Sequence, residues 1–529
     1  MQRQRILSDL ARGDATFDVV VVGGGITGAG VAREAAGSGL RTLLVEQRDF
    51  AWGTSSRSSK MVHGGLRYLG SGHPGLTREA LRERERLLAE APGLVERLPF
   101  IMPHRQGRFP GPRLFQLLLR IYDRMAGVRT RRWLPSHEAR TWVPGLGGSD
   151  LRGASLFLDA VTDDARLVLR VLEEARRDGA LCLNYVRAES VRRDDGRVSG
   201  LVLRDQESDR SFTVHTPRVI NASGAWACDL QRDPAKVRLR PLRGSHLVLP
   251  WSRLPVSCAV SLLHPRDRRP VFAFPWSGMT VLGTTDLDHT PPLNQEPGIT
   301  PEEVHYLLAI AEELFPGTRL SHQDIVSTWA GVRPVVTDGQ GRRPPSGESR
   351  EHVMWQDAGL VTIAGGKLTT FRTMARQALI AALGPDQAGR LRPESQPLFR
   401  PAAVQPRPAG VSRLTWRRLV GYHGQALDEL MAAAEPAPIA GTGTLWAELV
   451  WACRREAVVH LDDLLLRRTR LGLVLPDGAD ALLPDIRRRC QPALGWTDER
   501  WQWEVRRYRQ IYRAAYRLPD ESRNPTHDH

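Results

Sequence analysis

Cysteine is scarce: five in 529 residues, at 182, 228, 258, 453 and 490, with no C-x-x-C pair. An odd, scattered set excludes a disulfide framework and a thiolate zinc site, and it favours a reducing compartment. Lysine is scarcer still, with only Lys60, Lys236 and Lys367 among 74 basic residues. No apolar run approaches the roughly 18–20 residues of a membrane-spanning helix. The segment Met1–Asp14 is charged throughout and lacks the apolar stretch of a signal peptide. These absences predict a cytoplasmic protein. H-E-x-x-H, the EF-hand loop and G-x-x-x-x-G-K-[ST] are also missing, so no metal site and no P-loop is expected. What is abundant is arginine. A net charge of +15 leaves nucleic acid, anionic lipid and an anionic small molecule open as partners, and by itself selects none.

The chain opens with one βαβ unit. Asp18–Val22 is a short β-branched run, Ala29–Ala36 has helical composition, and Arg41–Glu46 is a second strand. Helices are predicted over Thr77–Ala91, Leu114–Met125 and Asp164–Ala175, the last capped by Asp163 or Asp164. Residues 197–214 alternate like a hairpin. Strands follow at Val219–Asn221, Ser245–Pro250, Val271–Phe274 and Leu360–Ala364, and a helix at Thr370–Leu383. Gly384–Gly410 holds six prolines with little periodicity and reads as a linker. Beyond it, 411–518 has helical spacing and reads as a separate α-helical domain.

The turn between the first strand and helix is Gly23-Gly24-Gly25-Ile26-Thr27-Gly28, a G-x-G-x-x-G in its required context. Gly23 permits the tight turn, Gly25 lets backbone approach a pyrophosphate, and Gly28 lets helix pack on strand. The helix N-terminus then faces the phosphates. Glu46 ends the second strand 18 residues after Gly28. A carboxylate there accepts hydrogen bonds from ribose hydroxyls and repels a 2′-phosphate, so FAD or NAD is favoured over NADP. The serine-rich stretch Thr54-Ser55-Ser56-Arg57-Ser58-Ser59-Lys60 makes a close-fitting polar surface suited to a pyrophosphate and ribityl chain.

G-G-G-I-T-G-A-G, T-S-S-R-S-S-K and H-G-G-L-R-Y-L together resemble the FAD-dependent, aerobic type of glycerol-3-phosphate dehydrogenase. Further matches follow in order: D-D-A-R-L-V-L (163–169), N-A-S-G-A-W (221–226), R-G-S-H-L-V-L-P (243–250), G-T-T-D (283–286), A-G-V-R-P (330–334), G-G-K-L-T-T (365–370) and L-L-R-R-T-R-L-G (465–472). Ser223 stands where the family usually has threonine, and Ala225 where it has proline. The start of the C-terminal domain, 400–445, aligns poorly.

The resemblance implies an α/β fold: a Rossmann-like FAD-binding domain of the glycine/D-amino-acid-oxidase type, an antiparallel-sheet substrate (cap) domain and a C-terminal α-helical domain. The implied boundaries are 15–75, 150–230 and 350–384 for the FAD domain and 76–149 and 231–349 for the cap. The linker is 385–410 and the helical domain 411–529. FAD is expected to be bound non-covalently by Gly23, Gly25, Ile26, Thr27, Gly28, Glu46, Thr54, Ser55, Ser56, Ser59, Lys60, His63, Gly64, Val186, Ala222, Gly224, Gly331, Gly366, Lys367, Leu368 and Thr369. At the substrate the resemblance places Arg333, His246, Lys367, Arg67, Tyr68, Thr285, Asp286 and Arg350.

The implied reaction is oxidation of sn-glycerol 3-phosphate to dihydroxyacetone phosphate by hydride transfer to FAD. A cationic pocket must hold the phosphate, and arginine suits it. His246 and Arg333 both stay open as the group that assists loss of the hydroxyl proton. The family passes its electrons to a quinone as a peripheral membrane protein. The stripe Leu114–Met125 with Arg113, Arg120 and Arg124 fits either a basic interfacial helix on the cytoplasmic face of the inner membrane or a core-facing helix with a solvated face. A homodimer stays open. Alternatives are an oxidase using O2 and a same-fold FAD enzyme acting on an amino or hydroxy acid. A nucleic-acid-binding flavoprotein is a further alternative, but no RNA-binding module is present, and Arg506–Tyr516 reads more simply as an amphipathic helix.

Overall fold

The computed structural model describes residues 2–13, 15–70, 72–233, 238–337, 351–402 and 406–519. Its first layer is a six-stranded sheet. The spatial order is Val353–Asp357, Leu360–Ala364, Val219–Asn221, Val19–Val22, Thr42–Glu46, Leu181–Asn184. All neighbours run parallel except the antiparallel edge strand Val353–Asp357. Val19 to Val22 is buried throughout, as a strand covered on both faces requires. Val19 and Val21 face the helices Ile26–Gly37, Asp164–Arg177 and Phe371–Leu383. Val20 and Val22 face the side bearing the three-stranded meander Val186–Asp194, Arg197–Asp205, Ser211–His215. Asp163, rather than Asp164, caps the helix Asp164–Arg177, accepting from the Arg166 N–H at 3.0 Å.

The second layer is a ten-stranded, largely antiparallel sheet. Leu239–Pro250 is one of its central strands, pairing with Met279–Gly283 on one side and Ser327–Val336 on the other. Period-2 alternation splits its side chains between two cores. Leu247 and Leu249 pack with Val304, Leu307 and Ile310 of the helix Pro301–Leu314. Val248 belongs to a core that also holds Trp276 and Trp329 together with Leu449, Leu464 and Leu471 of the C-terminal helices.

Two sequence expectations are refined. The 411–519 region is helical and holds a core of its own around Leu419, Leu430 and Trp451, but it is not free-standing, because it shares a second core with the cap sheet. The link is also ionic. Arg467 and Arg468 pair with buried Asp49, just after the Glu46 strand, and Arg470 pairs with Asp163 and Asp164. The motif L-L-R-R-T-R-L-G is therefore the clasp between domains. The proline-rich 384–410 stretch is not a free linker either. Leu391, Leu398 and Phe399 are buried in the helix layer of the FAD-type domain. The stretch gives three of its carbonyls to arginine side chains on the helices beneath: Leu398 accepts from Arg33, and Glu394 and Gln396 from Arg372.

Candidate functional site

A groove runs along the carboxyl ends of the parallel strands and encloses about 1310 Å³ of empty space, open solvent included. Of the expected cofactor residues, Gly23, Gly25, Ile26, Thr27, Glu46, Thr54, Ser55, Val186, Ala222, Gly224, Gly366, Lys367 and Leu368 line it. Sequence reasoning missed Trp52, Trp226, Ser58, Arg187 and Pro334 on the same walls. Trp52 and Trp226 sit 6.0 Å apart, ring to ring, and the guanidinium of Arg57 lies 4.8 Å over Trp52. Their adjacency to the T-S-S-R and N-A-S-G motifs was the available signal.

Each glycine of the fingerprint is required by a different contact. A Cβ at Gly23 would lie 2.5 Å from the Ala222 carbonyl oxygen, and one at Gly28 would lie 1.9 Å from the Gly23 carbonyl oxygen. At Gly25 a Cβ would meet only the Ser55 hydroxyl, at 3.1 Å, so there the missing methyl keeps the groove floor open. The Ser55 hydroxyl accepts from the Ile26 N–H at 3.0 Å and ties the serine loop to the helix start. Glu46 accepts from the Gly24 N–H at 2.7 Å and the Arg48 N–H at 2.9 Å. Burial pushes its carboxyl up, against those two donors. A cradle of backbone, a helix start and a terminal carboxylate along one open groove fit a dinucleotide.

The other expected cofactor residues stand off the groove. Gly28 is the packing point under Gly23. A Cβ at Gly331 would touch the Arg57 carbonyl oxygen at 2.5 Å, so this glycine lets the serine loop lie on its strand. The Gly64 N–H is 2.9 Å from the Tyr122 hydroxyl and 3.1 Å from Asp159. Thr369 clips the His63 backbone through its hydroxyl, at 3.2 Å in both directions.

Ser56 and Lys60, expected at the cofactor, face inward instead. Lys60, with φ 56°, has its side chain fully buried in the interior. Its ammonium donates to Asp164 at 2.8 Å and to the Ser56 carbonyl at 3.1 Å, between the rings of Trp276 and Trp329. Burial lowers this amine to about 8, against the pull of Asp164.

The substrate-side residues gather on the sheet beside the groove. His246 and Gly244 share one face of their strand. The imidazole lies 2.9 Å from the Ser59 hydroxyl through Nε2 and stacks on Trp329 at 4.9 Å. Its Nδ1 is buried and has no hydrogen-bond partner among the described residues. Burial holds His246 well below the usual histidine range, helped by the cations Arg333 and Lys60. Burial thus favours its uncharged form.

Arg333 lies over Gly244, where a Cβ would come within 2.2 Å of Nη2. Its fork donates to Asp286 at 3.1 Å and to the Thr284 hydroxyl at 3.2 Å. Thr285 is expected to line the pocket, but its hydroxyl turns to the back of the sheet. There it donates to Glu303 at 2.6 Å and accepts from the Ser245 N–H at 2.9 Å. The Lys367 ammonium sits 3.3 Å above the ring of Tyr68, which joins the last groove segment to the short helix Leu66–Gly70. Arg350 lies outside the described residues, as does the side chain of Arg67.

Comparison with known proteins agrees over most of the chain. The FAD dependent oxidoreductase family model matches residues 18–400, and the C-terminal domain of alpha-glycerophosphate oxidase matches 361–501. Glycerol-3-phosphate dehydrogenase 2 of Mycobacterium tuberculosis is 34% identical over 96% of this chain and 89% of its own. The aerobic glycerol-3-phosphate dehydrogenase of Staphylococcus epidermidis is 33% identical over 89% of each. The solved structure of a Bacillus halodurans glycerol-3-phosphate dehydrogenase complexed with FAD superposes with a TM-score of 0.77, at 28% identity over 97% of both chains. A glycine oxidase from Geobacillus kaustophilus shares the fold, with a TM-score of 0.53 at 23% identity over 74% of this chain and all of its own.

Proposed function

The chain belongs to the FAD-dependent glycerol-3-phosphate dehydrogenase family, and on that premise we propose which of its residues carry the chemistry. It is an FAD-dependent oxidoreductase that converts sn-glycerol 3-phosphate to dihydroxyacetone phosphate. FAD, when bound, supplies the two-electron acceptor that no side chain provides. Gly23, Gly25 and the helix start at Ile26 would hold its pyrophosphate, Glu46 its ribose, and Thr54, Ser55, Gly366 and Leu368 the remainder of the groove's length.

The observation that carries the site assignment is a buried imidazole with an unpartnered Nδ1, beside a guanidinium held by a carboxylate, next to the groove. Arg333 binds the substrate by its fork, with Asp286 fixing the plane of that fork. Lys367 supplies a compact ammonium for the phosphate, and Tyr68 holds its position. His246 accepts the hydroxyl proton. A guanidinium stays protonated at any physiological pH, whereas an uncharged imidazole has a lone pair to offer. Replacing Arg333 by Ala is expected to cut both the affinity for glycerol 3-phosphate and the rate of anaerobic flavin reduction. Wild-type values for both in a stopped-flow experiment would overturn the assignment.

For the electron acceptor we propose a quinone reached at a membrane surface. Support comes from the helix Pro112–Ala126. Leu119 and Tyr122 of this helix are buried, but Leu114, Leu117 and Ile121 are 48%, 54% and 41% exposed. Phe109, just before the helix, and Trp133, after it, are exposed at 62% and 37%. Arg113, Arg120 and Arg124 are exposed on the same helix. An apolar ridge flanked by arginine suits the headgroup boundary of an anionic bilayer. No helix among the described residues is long and apolar enough to cross one.

A further inference from the structure

Glu303 is a fully buried carboxylate that the chemistry above does not use. It lies in the first turn of the helix Pro301–Leu314, where its side chain closes a capping box with Thr300. Four donors converge on it. The Ser245 hydroxyl is 2.9 Å and the Thr285 hydroxyl 2.6 Å from Oε1, and the Thr300 N–H and Arg243 Nη2 are each 3.0 Å from Oε2. A cap needs only the Thr300 contact. The other three reach two further elements.

Those elements carry the site. In the strand Leu239–Pro250, Arg243 and Ser245 point to the back, while Gly244 and His246 point to the front, under Arg333 and beside Ser59. Thr285 lies between Thr284 and Asp286, the two residues that hold the Arg333 fork. One carboxylate thus pins, from behind, both the strand bearing His246 and the turn bearing the Arg333 partners. We propose that Glu303 is a positioning residue for the Arg333–Asp286 pair and His246, setting their alignment without touching substrate. The proposal rests on the reading that this site oxidises glycerol 3-phosphate.

A double-mutant cycle with Arg333→Lys tests it, using anaerobic flavin reduction by glycerol 3-phosphate in the FAD-loaded enzyme. Glu303→Ala is expected to lower the second-order rate constant of flavin reduction about thirtyfold with FAD content unchanged, and by no more than about threefold once Arg333 is already lysine. Glu303→Gln, which can still accept from Thr300 and Arg243, should recover most of the loss. If Glu303→Ala does not fold, Ser245→Ala removes one anchor with little change in burial. It should cost about fivefold alone and nothing further in the Arg333→Lys background. Equal costs in both backgrounds would overturn the positioning role while the function stands. A parent enzyme that glycerol 3-phosphate does not reduce would overturn both.

Discussion

Gly28 has no room for a methyl group, because the atom it would strike is a backbone oxygen 1.9 Å away. Gly28→Ala must therefore separate helix from strand, and it is expected to cost about 1–3 kcal/mol or more and to yield protein without flavin. Gly25→Ala meets only a serine side chain, so it should fold normally and lose at least about tenfold in FAD affinity by filling the phosphate cradle. Thermal melting with and without added FAD separates the two. This contrast marks what was legible residue by residue. The glycine fingerprint and Glu46 could be read because their chemistry needs those residue types at that spacing. The direction of Lys60 could not, because a loop lysine with positive φ turns on tertiary contacts the loop does not encode. Of the three lysines, Lys367 reaches the groove, Lys60 is a buried counter-ion, and Lys236 lies outside the described residues.

The helix Pro112–Ala126 shows the same division at the scale of an element. Its apolar period was visible, but only packing reveals that one row is inward and another outward. Removing the inward Leu119 should cost about 2–5 kcal/mol. Replacing outward Leu117 and Ile121 by Ser should leave the melting temperature unchanged and abolish flotation with anionic liposomes at low salt. Parent protein that stays at the bottom of the gradient would remove the membrane proposal. The 384–410 stretch was misread for a related reason. Proline predicts little regular structure, and among the described residues of the stretch the helix is short, Pro385–Ala388, but a segment without ladders can still be fastened by side chains. Arg33 and Arg372 do this from the helices beneath.

Across the whole molecule, the C-terminal helices are joined to the nucleotide-binding layer by buried charge. His460 sits at that junction between Glu207, at 3.1 Å, and Glu504, at 2.8 Å. Burial opposes its charged form, but the hydrogen bonds to Glu207 and Glu504 and the field of Asp463 raise it to about 9, against Arg507. Arg500 also faces the ring, at 3.2 Å. Below pH about 6.5 both folded and unfolded chains are protonated there, and the stabilisation is complete. As pH rises from about 6.5 to about 9, only the folded state keeps the proton, so this contribution, at most about 3 kcal/mol, is progressively lost. The melting temperature should fall across that window, and His460→Gln should flatten the fall. Nothing in the sequence pointed to this residue, since its partners are 253 and 44 positions away.

This groove is proposed to hold FAD, and the adjoining cations to select a phosphorylated secondary alcohol. The most direct test is to mix the flavin-loaded protein, without oxygen, with glycerol 3-phosphate, glycerol, glycine or lactate and follow the flavin absorbance. Bleaching is expected with glycerol 3-phosphate alone, with dihydroxyacetone phosphate formed in equal amount. Bleaching by glycine or lactate, with glycerol 3-phosphate inert, would contradict this proposal.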